Sequence, residues 1–127
     1  MIKSIKMRFT TILVSTATLT PLALASNAIV QNACTDPIYL CSVGGSTGER
    51  QPIVPGTNYT ETLHYDPASG SIAIKITHTE NGLDDGSLQT NFQYSLMDNL
   101  YYGLVDVFGD PFASDTLVLR PSVRRYL

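Results

Sequence analysis

Residues 71–79 of this 127-residue chain read SIAIKITHT, and this stretch decides the fold class. Ile72, Ile74 and Ile76 occupy alternate positions, so an extended strand points their three side chains to one face. A helix would scatter them around its circumference, and β-branched residues are poor helix formers. Lys75 falls on the opposite, wetter face. The pattern predicts a half-buried β-strand.

The same alternation continues on both sides of this stretch. Turn signals recur about every eight to twelve residues, and no window shows an amphipathic helical stripe with caps, which is typical of a β-sandwich. Residues 51–56 (QPIVPG) contain two prolines and predict an edge strand or connector, whereas residues 100–108 are apolar on both faces and predict a central strand. The other predicted strands are AIVQNAC (28–34), IYLCSV (38–43), TNYTETLHY (57–65), NFQYSL (91–96) and TLVLRP (116–121).

The first 25 residues have the character of a secretory leader. Lys3, Lys6 and Arg8 precede an apolar, hydroxyl-rich run, and Ala23-Leu24-Ala25 matches the small-residue pattern after which signal peptidase cuts. Several Thr and Ser residues and a proline interrupt the run, which therefore lacks the roughly 20 continuous apolar residues of a membrane-spanning helix. We predict cleavage after Ala25, no membrane anchor, and a product that is secreted to the medium or the cell wall.

Cleavage would leave 102 residues, which we divide into one β-sandwich domain at 26–121 and a disordered or divergent tail at 122–127. After cleavage all eleven acidic residues would remain, whereas only five of the eight basic residues would. The net charge would therefore be −6 with histidine neutral. An acidic product without a basic patch argues against binding to nucleic acid or to anionic membrane surfaces.

Cys34 and Cys41 are the two cysteines of the chain, and the secretory route would allow one disulfide between them. The turn signal at Asp36-Pro37 places Cys34 beside the turn and Cys41 several residues along the returning strand. Because bridged Cα atoms lie within about 7 Å, this spacing disfavours the bond without excluding it. The pairing of the two cysteines stays open.

Residues 81–86 read NGLDDG and contain adjacent carboxylates, Asp84 and Asp85. Adjacent strand residues point to opposite faces, so the two do not form a catalytic pair by themselves. The spacing of a calcium-binding loop is also absent. Flanking glycines favour a turn. With Asp66, these two aspartates are nevertheless our candidates for a surface that binds a polar ligand.

Motifs for catalysis, metal ions and cofactors are missing from the sequence. His64 and His78 are not at zinc-ligand spacing, and VGGSTGER (43–50) lacks the Walker spacing. Residues 44–48 (GGSTG) match the letters of G-x-S-x-G, but they fall in a predicted loop and not in the strand-to-helix turn that a nucleophile elbow needs. Gly109-Asp110-Pro111 predicts a structural corner. We therefore predict no catalytic residue, no metal ion and no cofactor.

Asn58-Tyr59-Thr60 is an N-glycosylation sequon that follows the Pro55-Gly56 turn signal. In a secreted chain this position is a candidate for an attached glycan. The alternative is an unmodified asparagine.

An ordered set of segments lies within about residues 27–121. The segments are NAIVQNAC (27–34), PIYLCSVGGS (37–46), PGTNYTETL (55–63), DPASGSIAIKIT (66–77), NGLDDGSLQTNFQYSL (81–96) and DVFGDPFA (106–113). Together these segments resemble the fungal family of Blastomyces yeast-phase-specific proteins, also described as antigenic thaumatin-like proteins. The resemblance implies a secreted fungal protein with a thaumatin-like antiparallel β-sandwich and without established catalytic residues.

Two features depart from the family pattern. Members usually continue beyond the position of Pro121 with further strands and with cysteines, which would supply a partner for Cys34. Cys41 stands where an aromatic or aliphatic residue is expected. We therefore expect this chain to be a C-terminally shortened form, in which an exposed sheet edge would invite association.

Two active functions and one inactive state follow as hypotheses. The first is a non-enzymatic protein at the fungal cell surface that binds a wall polysaccharide, with Tyr59, Tyr65, Tyr101 and Tyr102 as rings that could stack on sugars. The second is a weak glucan hydrolase, by fold-level analogy with thaumatin-like proteins that carry an acidic cleft. A third hypothesis is that the shortened product has no activity. The hydrolase would need two aspartates to converge from the set Asp66, Asp84, Asp85, Asp106 and Asp110.

Overall fold

The computed structural model describes residues 4–14 and 23–121, with side chains from residue 26 onward. The tail predicted at 122–127 lies outside the described residues, as do residues 1–3 and 15–22. Within the described ranges there is no helix, and hence none that could cross a membrane.

The described residues form nine strands in two sheets. In the first sheet the spatial order is β5-β2-β1-β9, and in the second it is β4-β3-β6-β7-β8. All neighbouring pairs are antiparallel except β1 and β9, which are parallel. The all-β prediction is confirmed. The strands are β1 (Ser4–Val14), β2 (Ala23–Asn32), β3 (Ile38–Val43), β4 (Gln51–Ile53), β5 (Asn58–Thr62), β6 (Ile72–Thr77), β7 (Gln89–Leu96), β8 (Leu100–Val107) and β9 (Thr116–Pro121).

The core lies between the two sheets and is built from the inward faces of both. Ala28 and Val30 come from β2 of the first sheet, and both are 1% exposed. The second sheet contributes a larger apolar surface from β3, β6 and β7, and the loop residue Phe112 packs into the same cluster. Burial of these faces away from water is the main term that stabilises the sandwich.

Strand β6 confirms the prediction from residues 71–79. Ile72, Ile74 and Ile76 are 3%, 0% and 0% exposed, and Lys75 on the other face is half-buried. Thr77 departs from the pattern, because it is fully buried although it was predicted on the wet face. Its hydroxyl donates a hydrogen bond to the Thr79 carbonyl oxygen at 2.8 Å, which satisfies the buried polar group.

The prediction that residues 100–108 form a central strand is wrong. β8 lies at the end of the second sheet and pairs on one side only, with β7. Its apolar side chains on both faces include Tyr101, Val105 and the following Phe108, which are 62%, 44% and 67% exposed. An apolar pattern on both faces depends on the side chains of the strand itself and not on which strands lie beside it. The pattern therefore could not distinguish a central strand from an edge strand.

The predicted turn at Asp36-Pro37 does not form a hairpin. β2 belongs to the first sheet and β3 to the second, so the turn carries the chain from one sheet to the other. Asn32 fixes this crossing: its Nδ2 donates to the carbonyl oxygens of Asp36 (3.0 Å) and Ile53 (2.7 Å), and its Oδ1 accepts from the backbone N–H of Cys34 (2.8 Å).

Cys34 and Cys41 do not form a disulfide with each other. Both side chains are buried, Cys34 within the core and Cys41 on β3. The Cys41 sulfur lies 3.1 Å from the Gly48 carbonyl oxygen, and burial raises the pKa of its thiol above 9.0.

The predicted leader supplies β1 and the first three residues of β2 in this full chain. β1 lies between β2 and β9 and pairs with both. The predicted cleavage position after Ala25 falls inside β2, opposite Ile12 of β1. Cleavage itself stays a prediction.

Candidate functional site

A groove rich in acidic side chains opens between β5 of the first sheet and β3 and β4 of the second. Its volume is about 330 Å³, near the lower end of the range for ligand pockets. No lysine or arginine is among its lining residues. We call it the acidic groove; its lining residues are Ser42, Gly44, Ser46, Gly48, Glu49, Gln51, Tyr59, Glu61, His64, Asp66 and Ile72.

Glu61 is held in the acidic groove by two tyrosine hydroxyls. Tyr59 donates to Oε2 and Tyr94 donates to Oε1, each at 2.8 Å. Burial raises the pKa of both hydroxyls, and the hydrogen bond to Glu61 raises it further, so both remain protonated donors at neutral pH. Each carboxylate oxygen still has lone-pair capacity for a second donor.

His64 lies beside this carboxylate rather than on the opposite face, where the alternation of residues 57–65 predicts it. β5 ends at Thr62, and the His64 ring turns back so that Nδ1 is 3.0 Å from the Thr62 carbonyl oxygen and 3.5 Å from the Tyr94 hydroxyl. The carbonyl can only accept, so this contact is a hydrogen bond in the tautomer that places a proton on Nδ1. Tyr65, predicted on the same face as Tyr59, is instead 52% exposed and does not line the groove.

Asp66 also lines the groove and accepts three backbone hydrogen bonds. Its Oδ2 accepts from Gly45 (2.7 Å), and its Oδ1 accepts from Ala68 (2.8 Å) and Ser69 (3.2 Å). The backbone at position 45 lies so close to Ala68 that it requires glycine, because a β-carbon on residue 45 would lie 2.5 Å from the β-carbon of Ala68.

These backbone donors, with Gly45 the largest contributor and Ala68 next, lower the pKa of Asp66 below its ordinary value of 3.8. The carboxylate therefore stabilises the fold at pH values above its unfolded-state pKa. This contribution is lost only as the pH falls from that value through the lower, folded-state pKa. Asp66 is thus ionised in the acidic groove at every pH from mildly acidic upward.

The other two predicted ligand residues lie outside the acidic groove. Asp84 and Asp85 occupy the turn that spans residues 80–86, where both backbone N–H groups donate to the Asn81 carbonyl oxygen. Asp84 pairs with Arg50, and Asp85 Oδ1 accepts from the Ser87 hydroxyl and backbone N–H. The Ser87 hydrogen bonds lower the pKa of Asp85. The acidic groove therefore includes Asp66 but neither Asp84 nor Asp85.

The remaining aspartates of the hydrolase hypothesis have structural contacts. Asp106 accepts a hydrogen bond from the Thr90 hydroxyl at 2.7 Å, and Asp110 accepts from the backbone N–H of Phe112 at 2.8 Å in the predicted corner. Of the five aspartates in that hypothesis, all of which are described, Asp66 alone lines the acidic groove.

Metal-ligating side chains do not gather in the described part of the chain, where no group of three or more His, Cys, Asp or Glu residues could hold an ion. His78 lies apart from His64 and packs on the Phe112 ring, with centroids 4.5 Å apart. Its Nε2 is 3.7 Å from the Asp115 carboxylate.

The tyrosines proposed to contact sugars are divided between two places. Tyr59 lines the acidic groove, whereas Tyr101 and Tyr102 line a shallow, mainly apolar depression beside β8. Asn58 of the sequon is exposed at the start of β5.

Glu61 and Tyr94 are the site residues that the sequence did not single out. Because side chains two residues apart in a strand point the same way, the predicted strand at 57–65 puts Tyr59 and Glu61 on one face, as observed in β5. Tyr94, however, lies 33 residues away on a strand of the other sheet, and no local pattern reports a contact over that distance.

Comparison with known proteins identifies the family. The model of the Blastomyces yeast-phase-specific protein family matches residues 15–125. An antigenic thaumatin-like protein of Arthroderma benhamiae is 31% identical over 112 residues, which cover 84% of this chain and 55% of that protein. A secreted thaumatin-like protein, calA, of Emericella nidulans is 31% identical over 64 residues, covering 50% of this chain and 37% of that protein.

The chain thus spans about half or less of the length of these curated relatives. Neither relative is named as an enzyme. No solved structure matches the chain. The family match covers most of the sequence, and it agrees with the ordered segments found between residues 27 and 121. The chain therefore belongs to the Blastomyces yeast-phase-specific family of fungal proteins, whose curated members here are named thaumatin-like.

Proposed function

We propose that this chain is a secreted, non-catalytic thaumatin-like protein that binds an uncharged polysaccharide of the cell wall in the acidic groove. The observation that carries the proposal is a pair of carboxylates fixed on one groove: Glu61 by two tyrosine hydroxyls and Asp66 by three backbone N–H groups. Secretion is supported by the leader pattern and by the name of the relative from Emericella nidulans.

A neutral, hydroxyl-rich ligand fits the chemistry of the acidic groove. Ionised carboxylates can only accept hydrogen bonds. Sugar hydroxyls can donate to the lone pairs that remain free on the two carboxylates. Because both carboxylates are already held in place, binding loses little side-chain entropy. An anionic polysaccharide is disfavoured, since no lysine or arginine lines the groove to balance its charge.

The same contacts argue against glycoside hydrolysis. Hydrolysis needs one carboxyl group whose pKa is raised so that it can protonate the leaving oxygen. The pKa of Asp66 is lowered instead, and both oxygens of Glu61 accept hydrogen bonds from tyrosines. The groove therefore holds and orients hydroxyl groups and supplies no evident proton donor to a glycosidic bond.

The test is co-sedimentation of the purified secreted protein with insoluble β-glucan. We expect wild type in the pellet, and at least about tenfold weaker binding for Glu61→Gln and Asp66→Asn, because one lost charge-assisted hydrogen bond costs about 1.5 to 3 kcal/mol. Asp85→Asn is the matched control, since it removes an exposed carboxylate outside the groove. Circular dichroism checks that each variant is folded.

Two results would overturn the proposal. Wild-type protein that stays entirely in the supernatant would contradict binding of a wall polysaccharide. Release of reducing sugar by wild type, lost in Glu61→Gln or Asp66→Asn, would instead establish the hydrolase hypothesis.

A further inference from the structure

The sequon at residues 58–60 presents its two recognised side chains to solvent. Asn58 and Thr60 lie two positions apart on β5, so they point to the same face, and both are exposed. Tyr59 between them points inward to Glu61. Within the described part of the chain, the Asn58 side-chain amide has no hydrogen-bond partner, so its nitrogen is accessible without breaking a contact.

The position of Asn58 in the sheet adds a second argument. In the sheets formed by residues 4–14 and 23–121, β5 is an edge strand with β2 as its one neighbour, and Asn58 opposes Gln31 at its first position. The residues before it turn at Pro55-Gly56, where Gly56 has a φ of 81°. A bulky group on Asn58 would therefore project beside an open strand edge, away from the core and from the acidic groove.

We propose that Asn58 carries an N-linked oligosaccharide that shields the open edge of β5. In this step the amide nitrogen of Asn58 forms a bond to C1 of an oligosaccharide supplied by a lipid diphosphate donor. The bond from C1 to the diphosphate oxygen breaks, the amide loses one proton, and the lipid diphosphate leaves. The proposal rests on the proposed function only in requiring entry into the secretory route.

Shielding of β5 follows from the geometry of edge strands. An edge presents unpaired backbone N–H and C=O groups that can pair with another chain. β5 has no lysine or proline of its own, and its exposed positions carry asparagine and threonine. A hydrated glycan at the first position of this short strand sterically excludes a second strand from pairing along it.

The test is intact-mass measurement of the full chain expressed in yeast behind a heterologous secretion leader. Peptide N-glycanase should remove the glycan mass and convert Asn58 to aspartate, a gain of about 1 Da at that residue. We expect the glycan in wild type, Thr60→Ser and Thr62→Ala, and its complete loss in Asn58→Gln and Thr60→Ala. Thr62→Ala is the matched control, because Thr62 is an exposed threonine of the same strand outside the sequon.

An unmodified mass for secreted wild type would overturn the proposal, and so would a glycan that persists in Thr60→Ala. A parallel expression with the chain's own amino terminus separates the two claims. Failure of that form to leave the cell, with glycosylation intact behind the heterologous leader, would contradict secretion and leave Asn58 modification established.

Discussion

At the scale of single residues, Glu61 joins the two sheets by hydrogen bonds. It belongs to β5 of the first sheet, and Tyr94, which donates to its Oε1, belongs to β7 of the second. The Tyr94 side chain is 1% exposed, so its hydroxyl has little access to water as an alternative partner. A buried hydrogen bond to a charged group contributes more than an exposed one.

We predict that Tyr94→Phe lowers the free energy of unfolding by about 1 to 3 kcal/mol, because it removes one donor to a half-buried carboxylate. Urea denaturation followed by circular dichroism measures this change. Tyr101→Phe is the control, because its ring is 62% exposed, and we expect a change of less than about 0.5 kcal/mol there. Equal stability of Tyr94→Phe and wild type would show that the bond between the sheets contributes nothing.

At the scale of elements, the sequence predicted where strands lie along the chain better than which strands and side chains lie next to one another. The bounds of β3 match the predicted stretch 38–43, and the prolines of residues 51–56 correctly indicated an edge for β4. Period-two alternation is a local signal, because the polarity of each side chain reflects whether its own face of the strand is buried or solvated. The position of β8, the crossing of residues 34–37 and the contact of Tyr94 depend on distant segments, so the pattern did not contain them.

β8 is the longest edge strand among the described residues. It has eight residues, compared with three in β4, five in β5 and six in β9. It contains no lysine, arginine or proline, the residues that commonly block pairing at an edge. Its exposed apolar side chains would be buried if β8 paired with the β8 of a second copy.

We predict that Val105→Lys reduces association between copies of the protein, because a charge on the edge must lose its hydration when strands pair. Sedimentation velocity over a concentration series measures the shift towards monomer. The matched control is Val54→Lys, which makes the same change at a valine that is 51% exposed beside the proline-containing β4. Association that is unchanged by Val105→Lys and weakened by Val54→Lys would assign the contact to the opposite edge.

At the scale of the whole molecule, the two sheets depend differently on the amino-terminal segment. The five-stranded sheet is made entirely from residues 38–107, whereas the first sheet has β1 between β2 and β9. Among the strands that the structure describes, β9 pairs with β1 alone, from Ser4 opposite Thr116 to Phe9 opposite Pro121. No sequence pattern indicated this role for β1, because the hydrophobic run of residues 9–25 is equally typical of a leader.

We predict that removal of residues 1–25 increases amide hydrogen exchange at Leu117–Arg120 and leaves β6 protected, because β9 loses its neighbour and the five-stranded sheet loses none. Hydrogen–deuterium exchange with mass spectrometry compares the full chain with residues 26–127. Protection at Leu117–Arg120 that is unchanged by the removal would mean that β9 pairs with β2 instead.

The parallel pairing of β1 with β9 also bears on timing during synthesis. A ribosome that adds about 5 to 20 residues per second needs roughly 5 to 20 s to travel from the end of β1 to the start of β9. Throughout that interval β1 lacks β9, the strand that pairs with one of its two edges. Were this segment to act as the predicted leader, the machinery that recruits nascent chains for export would meet it before β9 has been synthesised to enclose it.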